Sequence, residues 1–204
     1  MSIKTVGFIG TGGMGNGMAA NLIKAGYRLV VTDIKRAQAA ELEGQGAQFV
    51  DSPKAVAESC ELVLSMLPNN AAVREVALGA NGLSEARAGA REWIDFSSMD
   101  KATMVQVGVE LAINGWTIAH ASAGGVEEVA AAGQLALWRA LGLPGRKGPH
   151  AWLMQSGSAA RQDPPTTTIS AHKLRRIRPL DESAERAIRA CFGPHCASLR
   201  KRKS

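Results

Sequence analysis

The stretch TVGFIGTGGMGNGMAANLIKAGY, residues 5–27, decides the fold. It opens with an apolar run, Thr5 to Ile9, and turns at Gly10. From Met14 onward the apolar residues Met14, Met18 and Leu22 return at helical spacing, and Gly26 supplies a C-terminal stop. The order is strand, tight turn, helix. The turn reads Gly10-Thr11-Gly12-Gly13-Met14-Gly15, a G-x-G-x-x-G. Gly10 allows the sharp bend, Gly12 lets a pyrophosphate approach the backbone, and Gly15 lets the helix pack on the strand. The helix N-terminus then presents amides and a partial positive charge to the phosphates.

Working outward, the same alternation continues. RLVVTD (28–33), Gln48 to Val50, ELVLSML (61–67, stopped by Pro68), EWIDF (92–96) and Trp116 to Ala119 read as strands. Ser52-Pro53 gives an N-cap and a first-turn proline for a short helix to Ser59. Asn70 to Leu78 and Asp100 to Asn114 read as helices, the latter with Met104, Val107 and Leu111 on one face. Strands alternating with helices across short links predict an α/β, Rossmann-type doubly wound fold with a mostly parallel sheet. Asp33 ends the second strand, 21 residues after Gly12, where an acid meets the ribose hydroxyls of an adenosine. A carboxylate there favours NAD over NADP, while the neighbouring bases Lys35 and Arg36 leave NADP open.

Composition bounds the remainder. With 204 residues, 46% hydrophobic and 21% charged, the sequence is that of a folding chain, enough for one ordinary domain and an appendage. No apolar run approaches membrane-spanning length, and MSIKTVGFIG lacks a secretory plan, so a soluble, cytoplasmic protein with no membrane partner is expected. Cys60, Cys191 and Cys196 have neither disulfide-scaffold density nor zinc spacing, so reduced thiols and no metal are expected. Charge divides the chain: residues 1–138 carry net −4 and residues 139–204 net +10. We expect a dinucleotide-binding domain over 1–138 and, over 139–204, a basic Arg/Pro-rich tail that is disordered except for a helix over Asp181 to Cys191. RRIR (175–178) and RKRKS (200–204) offer phosphate contacts, but stacking aromatics are nearly absent, so nucleic-acid binding is not the expected role.

GFIGTGGMGNGMAANLIKAGY (7–27), SMLPNN (65–70), GANG (79–82) and IDFSSMD (94–100), in that order, resemble the β-hydroxyacid dehydrogenases. This is the 3-hydroxyisobutyrate dehydrogenase family, related to 6-phosphogluconate dehydrogenase. The resemblance covers roughly residues 3–138. It implies an NAD(P)-dependent oxidoreductase of small hydroxy acids, with a cofactor domain followed by a helical domain that closes the substrate site. It further implies that residues 10–15 line the pyrophosphate, Asp33 the adenosine ribose, Leu67, Pro68 and Asn69 the nearby edge, and Ser98 the nicotinamide side.

AHASAGGVEEVAAAGQL (119–135) resembles the family's D-A-P-V-S-G-G substrate segment imperfectly. Aligned on Gly124-Gly125, Ala123 takes the serine's place. Aligned on Gly133-Gln134-Leu135, His120 takes the aspartate's place and Gly124 the serine's. Ser122, Gly124 and Gly125 are the candidate substrate contacts, their amides suited to an anion. His120 is open to two readings, proton carrier or structural histidine. After Trp138 the G-x-x-G-x-G-x-x-x-K pattern carrying the family's catalytic lysine does not occur, and Lys147, Lys173, Lys201 and Lys203 do not replace it. No catalytic residue is assigned, and dinucleotide binding with little or no turnover is expected. The abrupt end of the resemblance at GQLALW suggests a tail translated in a wrong frame or a mis-spliced end. The alternative reading is a non-catalytic dinucleotide-binding module.

Overall fold

The computed structural model describes residues 3–124, 136–140 and 182–192, which belong to one compact unit. Its strands are β1 (Thr5–Ile9), β2 (Arg28–Thr32), β3 (Gln48–Phe49), β4 (Leu62–Ser65), β5 (Glu92–Asp95), β6 (Thr117–Gly124) and β7 (Ala136–Ala140). Its α-helices are α1 (Gly13–Lys24), α2 (Ala40–Gly44), α3 (Pro53–Ser59), α4 (Asn70–Leu78), α5 (Lys101–Ile113) and α6 (Glu182–Phe192). They build a sheet of order β3-β2-β1-β4-β5-β6-β7. The first six strands pair in parallel, and β7 runs antiparallel to β6, His120 facing Ala140 and Gly124 facing Ala136. This is the doubly wound architecture the alternating pattern predicts, with one added edge strand.

Near-continuous apolar strands follow from a sheet covered on both faces. On one face Val6, Phe8, Val31, Leu64 and Ile94 meet Met18 and Leu22 of α1, Leu42 of α2, and Ile188 and Phe192 of α6. On the other, Ile9, Val30, Val63 and Trp93 meet Val56 of α3, Val73 and Ala77 of α4, and Val107 and Leu111 of α5. Local chemistry sets the helix ends. Ser52 Oγ accepts from the Ala55 amide at 3.1 Å, and Gly26, at φ +89°, turns the chain out of α1. At α5 the capping side chain is Asp100, whose Oδ1 accepts from the Thr103 amide at 2.7 Å.

Two segments on the basic side of residue 138 belong to this fold: the end of β7 and all of α6. Within α6, Ala184, Ala187, Ile188, Cys191 and Phe192 recur at helical spacing and are buried. Asn21 of α1 donates its side-chain amide to the Cys191 carbonyl at 3.3 Å, and the Phe192 ring meets Phe96 edge-on at 4.9 Å. Other residues of the stretch 139–204, with the expectation of disorder placed on them, lie outside the described residues. Cys60 and Cys191 are free thiols. Burial pushes both up, Cys60 to about 12, so they stay protonated and unreactive near neutrality. Cys196 lies outside the described residues.

Candidate functional site

Strand order reverses at β1, which has β2 on one side and β4 on the other. The carboxyl ends of β1 and β4 therefore open a crevice, the place where doubly wound sheets bind ligands. Gly10 stands there at φ +88°, and a β-carbon on it would lie 2.3 Å from the Met66 carbonyl oxygen just past β4. A β-carbon on Gly15 would lie 1.8 Å from the Gly10 carbonyl oxygen. Gly12 is different: the nearest atom to a β-carbon there is Gln38 Oε1, 3.9 Å away. Packing thus requires glycine at positions 10 and 15 and leaves space beside Gly12. Gly12 is also the N-cap of α1, with no side chain bonded across the helix end and no acid in the first turn. The backbone donors there have the arrangement that suits an anion. Beside this turn an open groove of about 500 Å³ is lined by Thr11, Gly12, Gly13, Asn16 and Gln38 among others. Met14 is partly buried and packs against the core, so its side chain serves the fold while its backbone belongs to the turn.

Asp33 joins the end of β2 to this turn. Its Oδ2 accepts from the Thr11 amide at 2.8 Å and its Oδ1 from the Lys35 amide at 2.9 Å. Arg36 is turned elsewhere, paired with Glu43 at 3.0 Å and lying 4.9 Å over the Phe49 ring.

The opposite wall of the crevice depends on a buried polar network that the strand pattern alone does not reveal. Asp95, fully buried at the end of β5, accepts from Ser65 Oγ at 2.5 Å, Ser97 Oγ at 2.7 Å and the Ser97 amide at 3.1 Å. Ser65 in turn accepts from the Trp93 indole at 2.9 Å, and Ser97 from the Leu67 amide at 2.8 Å. A buried carboxyl group with several donors is well satisfied, and through Ser97 it fixes the start of the Leu67–Pro68–Asn69 loop. Asn69 is committed to structure through its side chain, which caps α4 by accepting from the Ala72 amide at 2.9 Å. Asn70 and Asp100 then bridge the starts of α4 and α5 in both directions. Hydrogen bonds from Thr103 hold the Asp100 carboxyl below its usual range.

Ser98 is exposed beside buried Ser97. Of the candidate substrate contacts, Ser122 and Gly124 lie in β6, and Gly125 lies outside the described residues. His120, paired with Asp95 in the register of β5 and β6, places Nδ1 3.4 Å from Asp95 Oδ2. Sequence reading missed Ser65, Asp95 and Ser97. For Ser65 and Asp95 the signal was a polar residue closing the apolar runs LVLS and WID; Ser97 stands with Asp95 in IDFSSMD, where the resemblance gives it no role.

The comparisons with known proteins agree with this geometry. Residues 5–140 match the family described as the NAD binding domain of 6-phosphogluconate dehydrogenase. Over 130 residues the chain is 36% identical to human mitochondrial 3-hydroxyisobutyrate dehydrogenase, covering 64% of this chain and 39% of that protein. Over 130 residues it is 39% identical to the 3-hydroxyisobutyrate dehydrogenase of Pseudomonas aeruginosa, covering 64% and 44%. The solved Mycobacterium tuberculosis 3-hydroxyisobutyrate dehydrogenase, described with L-serine, superimposes with a TM-score of 0.61 at 28% identity, covering 67% of this chain and 46% of that one. The chain thus spans less than half the length of these relatives. Among the described residues no helix is long and apolar enough to cross a membrane. With glycine turn, reversed strand order and matched residues in agreement, the chain belongs to the family of the NAD binding domain of 6-phosphogluconate dehydrogenase, and over that domain it is similar to 3-hydroxyisobutyrate dehydrogenases.

Proposed function

We propose that this domain holds NAD across the β1–β4 crevice in a protein that oxidises a small hydroxy acid of the 3-hydroxyisobutyrate class. The observation that carries the reading is the contrast among the three glycines. Two are required by packing, and the third, Gly12, leaves a cradle that a side chain would fill. Backbone amides at residues 12–15 would hold the pyrophosphate. Asp33, whose Oδ1 receives only the Lys35 amide, would accept from a ribose hydroxyl, and the Leu67–Asn69 loop would border the nicotinamide half. When bound, the nicotinamide supplies the hydride chemistry; the protein contributes position and an ordered wall.

The preference for NAD rests on the fixed Asp33 carboxylate, which repels a 2′-phosphate, and on Arg36, which is engaged by Glu43 and Phe49. Ser122, Gly124 and Gly125 are proposed as the substrate's anion contacts, and Ser98 as a nicotinamide-side hydroxyl. The family's lysine pattern does not occur after Trp138, so the chain as given is expected to bind dinucleotide without appreciable turnover. Titration by NADH fluorescence, followed by a turnover assay on 3-hydroxyisobutyrate, tests both halves. Saturable NADH binding that Gly12→Val abolishes supports the reading, and affinity retained by Gly12→Val overturns it. Turnover at family-like rates would overturn the expectation of inactivity.

A further inference from the structure

His120 is the one residue among the described ones whose buried side-chain nitrogen lacks a hydrogen-bond partner. Its side chain is 9% exposed, and Nδ1 lies 3.4 Å from Asp95 Oδ2. Asp95 Oδ1 already receives two hydroxyl donors, whereas Oδ2 receives a single one, the Ser97 amide. A buried nitrogen without a partner thus stands beside the less satisfied oxygen of a buried carboxylate. If the ring carried its proton only on Nε2, the Nδ1 lone pair would face another acceptor, the carboxylate oxygen, and the buried nitrogen would stay unpaired at a cost. With the proton on Nδ1, a closure of about half an ångström makes a hydrogen bond of charge-assisted length.

We propose that His120 carries a proton on Nδ1, donates it to Asp95 Oδ2, and so acts as a positioning residue for the dinucleotide crevice. The bond holds Asp95 in the rotamer that fixes Ser97, and Ser97 holds the Leu67 amide at the head of the loop bordering the cofactor. The cofactor part of this inference rests on the proposed function above; the tautomer and the ordering of the loop do not. Asparagine offers a test, because its side-chain amide can place a donor near the position of Nδ1.

Long-range proton–nitrogen correlation spectra of the full chain report which ring nitrogen is protonated. Nδ1 protonation is expected, and an Nε2–H tautomer with bare Nδ1 overturns the proposal. In His120→Ala, the Trp93 indole resonance, which reads the network through Ser65, and the Leu67 amide resonance are expected to move. Both should return toward the wild-type position in His120→Asn. NADH affinity is expected to fall about tenfold in His120→Ala, the effect of one lost hydrogen bond to a charged group, and to recover largely in His120→Asn. Unmoved Trp93 and Leu67 resonances, or equal NADH affinity in wild type and His120→Ala, would overturn the positioning role. Equal weakening in Ala and Asn variants with both folded would overturn it as well, showing a packing role. A wild-type chain that does not bind NADH would instead overturn the proposed function and with it the cofactor part, while the resonances still decide the tautomer and the loop.

Discussion

Gly15 stands so close to Gly10 that a methyl group on the first would lie 1.8 Å from the carbonyl oxygen of the second. The obstacle is backbone, so it cannot swing aside. Gly15→Ala is therefore expected to push α1 away from β1 and destabilise the domain by several degrees in thermal melting. Gly12→Ala should melt like the wild type, because its new methyl meets nothing nearer than 3.9 Å, yet lose NADH affinity. Circular-dichroism melting and fluorescence titration of the two variants check the pair. A Gly12→Ala protein that fails to fold would show that the space beside Gly12 is not reserved for a ligand.

Ser97 links a buried carboxylate to the crevice wall, accepting from Leu67 and donating to Asp95. Ser97→Ala leaves the buried Leu67 amide without its acceptor, which costs about 1–3 kcal/mol. Ser65→Ala similarly removes the acceptor of the Trp93 indole. Both should lower the denaturation midpoint, but Ser97→Ala alone is expected to weaken NADH binding as well, because only it releases the loop. Chemical denaturation and titration of the two variants separate these effects, and equal NADH affinity in both would sever the network from the crevice.

These contrasts show which parts of the site the sequence makes legible. The glycine turn, the acid at the end of β2 and the strand–helix alternation depend on short-range steric and periodic rules, so residues 5–33 announce themselves. The wall formed by Ser65, Asp95, Ser97 and His120 does not, because its members come from three neighbouring strands and the turn after β5, up to 55 positions apart, and meet only through the sheet register. Asn69 was legible as part of the loop but not as a helix cap, since capping and ligand binding draw on the same residue types. The membership of α6 in the domain was hidden for another reason. Net charge describes an exposed face, and Arg186 and Arg189 of α6 are exposed while Ala187, Ile188, Cys191 and Phe192 fill the core.

Glu61 gives the domain a pH dependence of known sign. Its Oε2 accepts from the Lys4 and Thr5 amides at 2.7 and 2.8 Å, and those hydrogen bonds hold its carboxyl below the usual range. A group with a depressed folded pKa stabilises the fold above its unfolded value, about 4.3, and the contribution is lost as pH falls through the folded value. Glu61→Gln keeps an acceptor but loses the charge. Its melting temperature should fall slightly below the wild type near neutral pH, a small difference because solvent screens this exposed carboxylate. The gap should close as pH drops through the folded value. Melting curves of both proteins over that range check the sign, and a gap that widens in acid would contradict it.

Phe192 tests whether the basic stretch 139–204 contributes to the stability of the cofactor domain. The ring is fully buried, edge-on to Phe96, at the end of a helix whose apolar side rests on α1. Truncating such a ring to alanine costs about 3–5 kcal/mol, from lost transfer energy and the cavity left behind. A marginally stable domain has only about 5–15 kcal/mol in total, so Phe192→Ala should shift the denaturation midpoint severely. Arg189→Ala, on the exposed face of the same helix, changes the local charge without opening a cavity and should shift it far less. The comparison distinguishes burial from basicity, because both variants lie in the stretch that charge alone sets apart. If Phe192→Ala melted like the wild type, α6 would be resting on the domain without stabilising it, and the core would end with the sheet and helices α1 to α5.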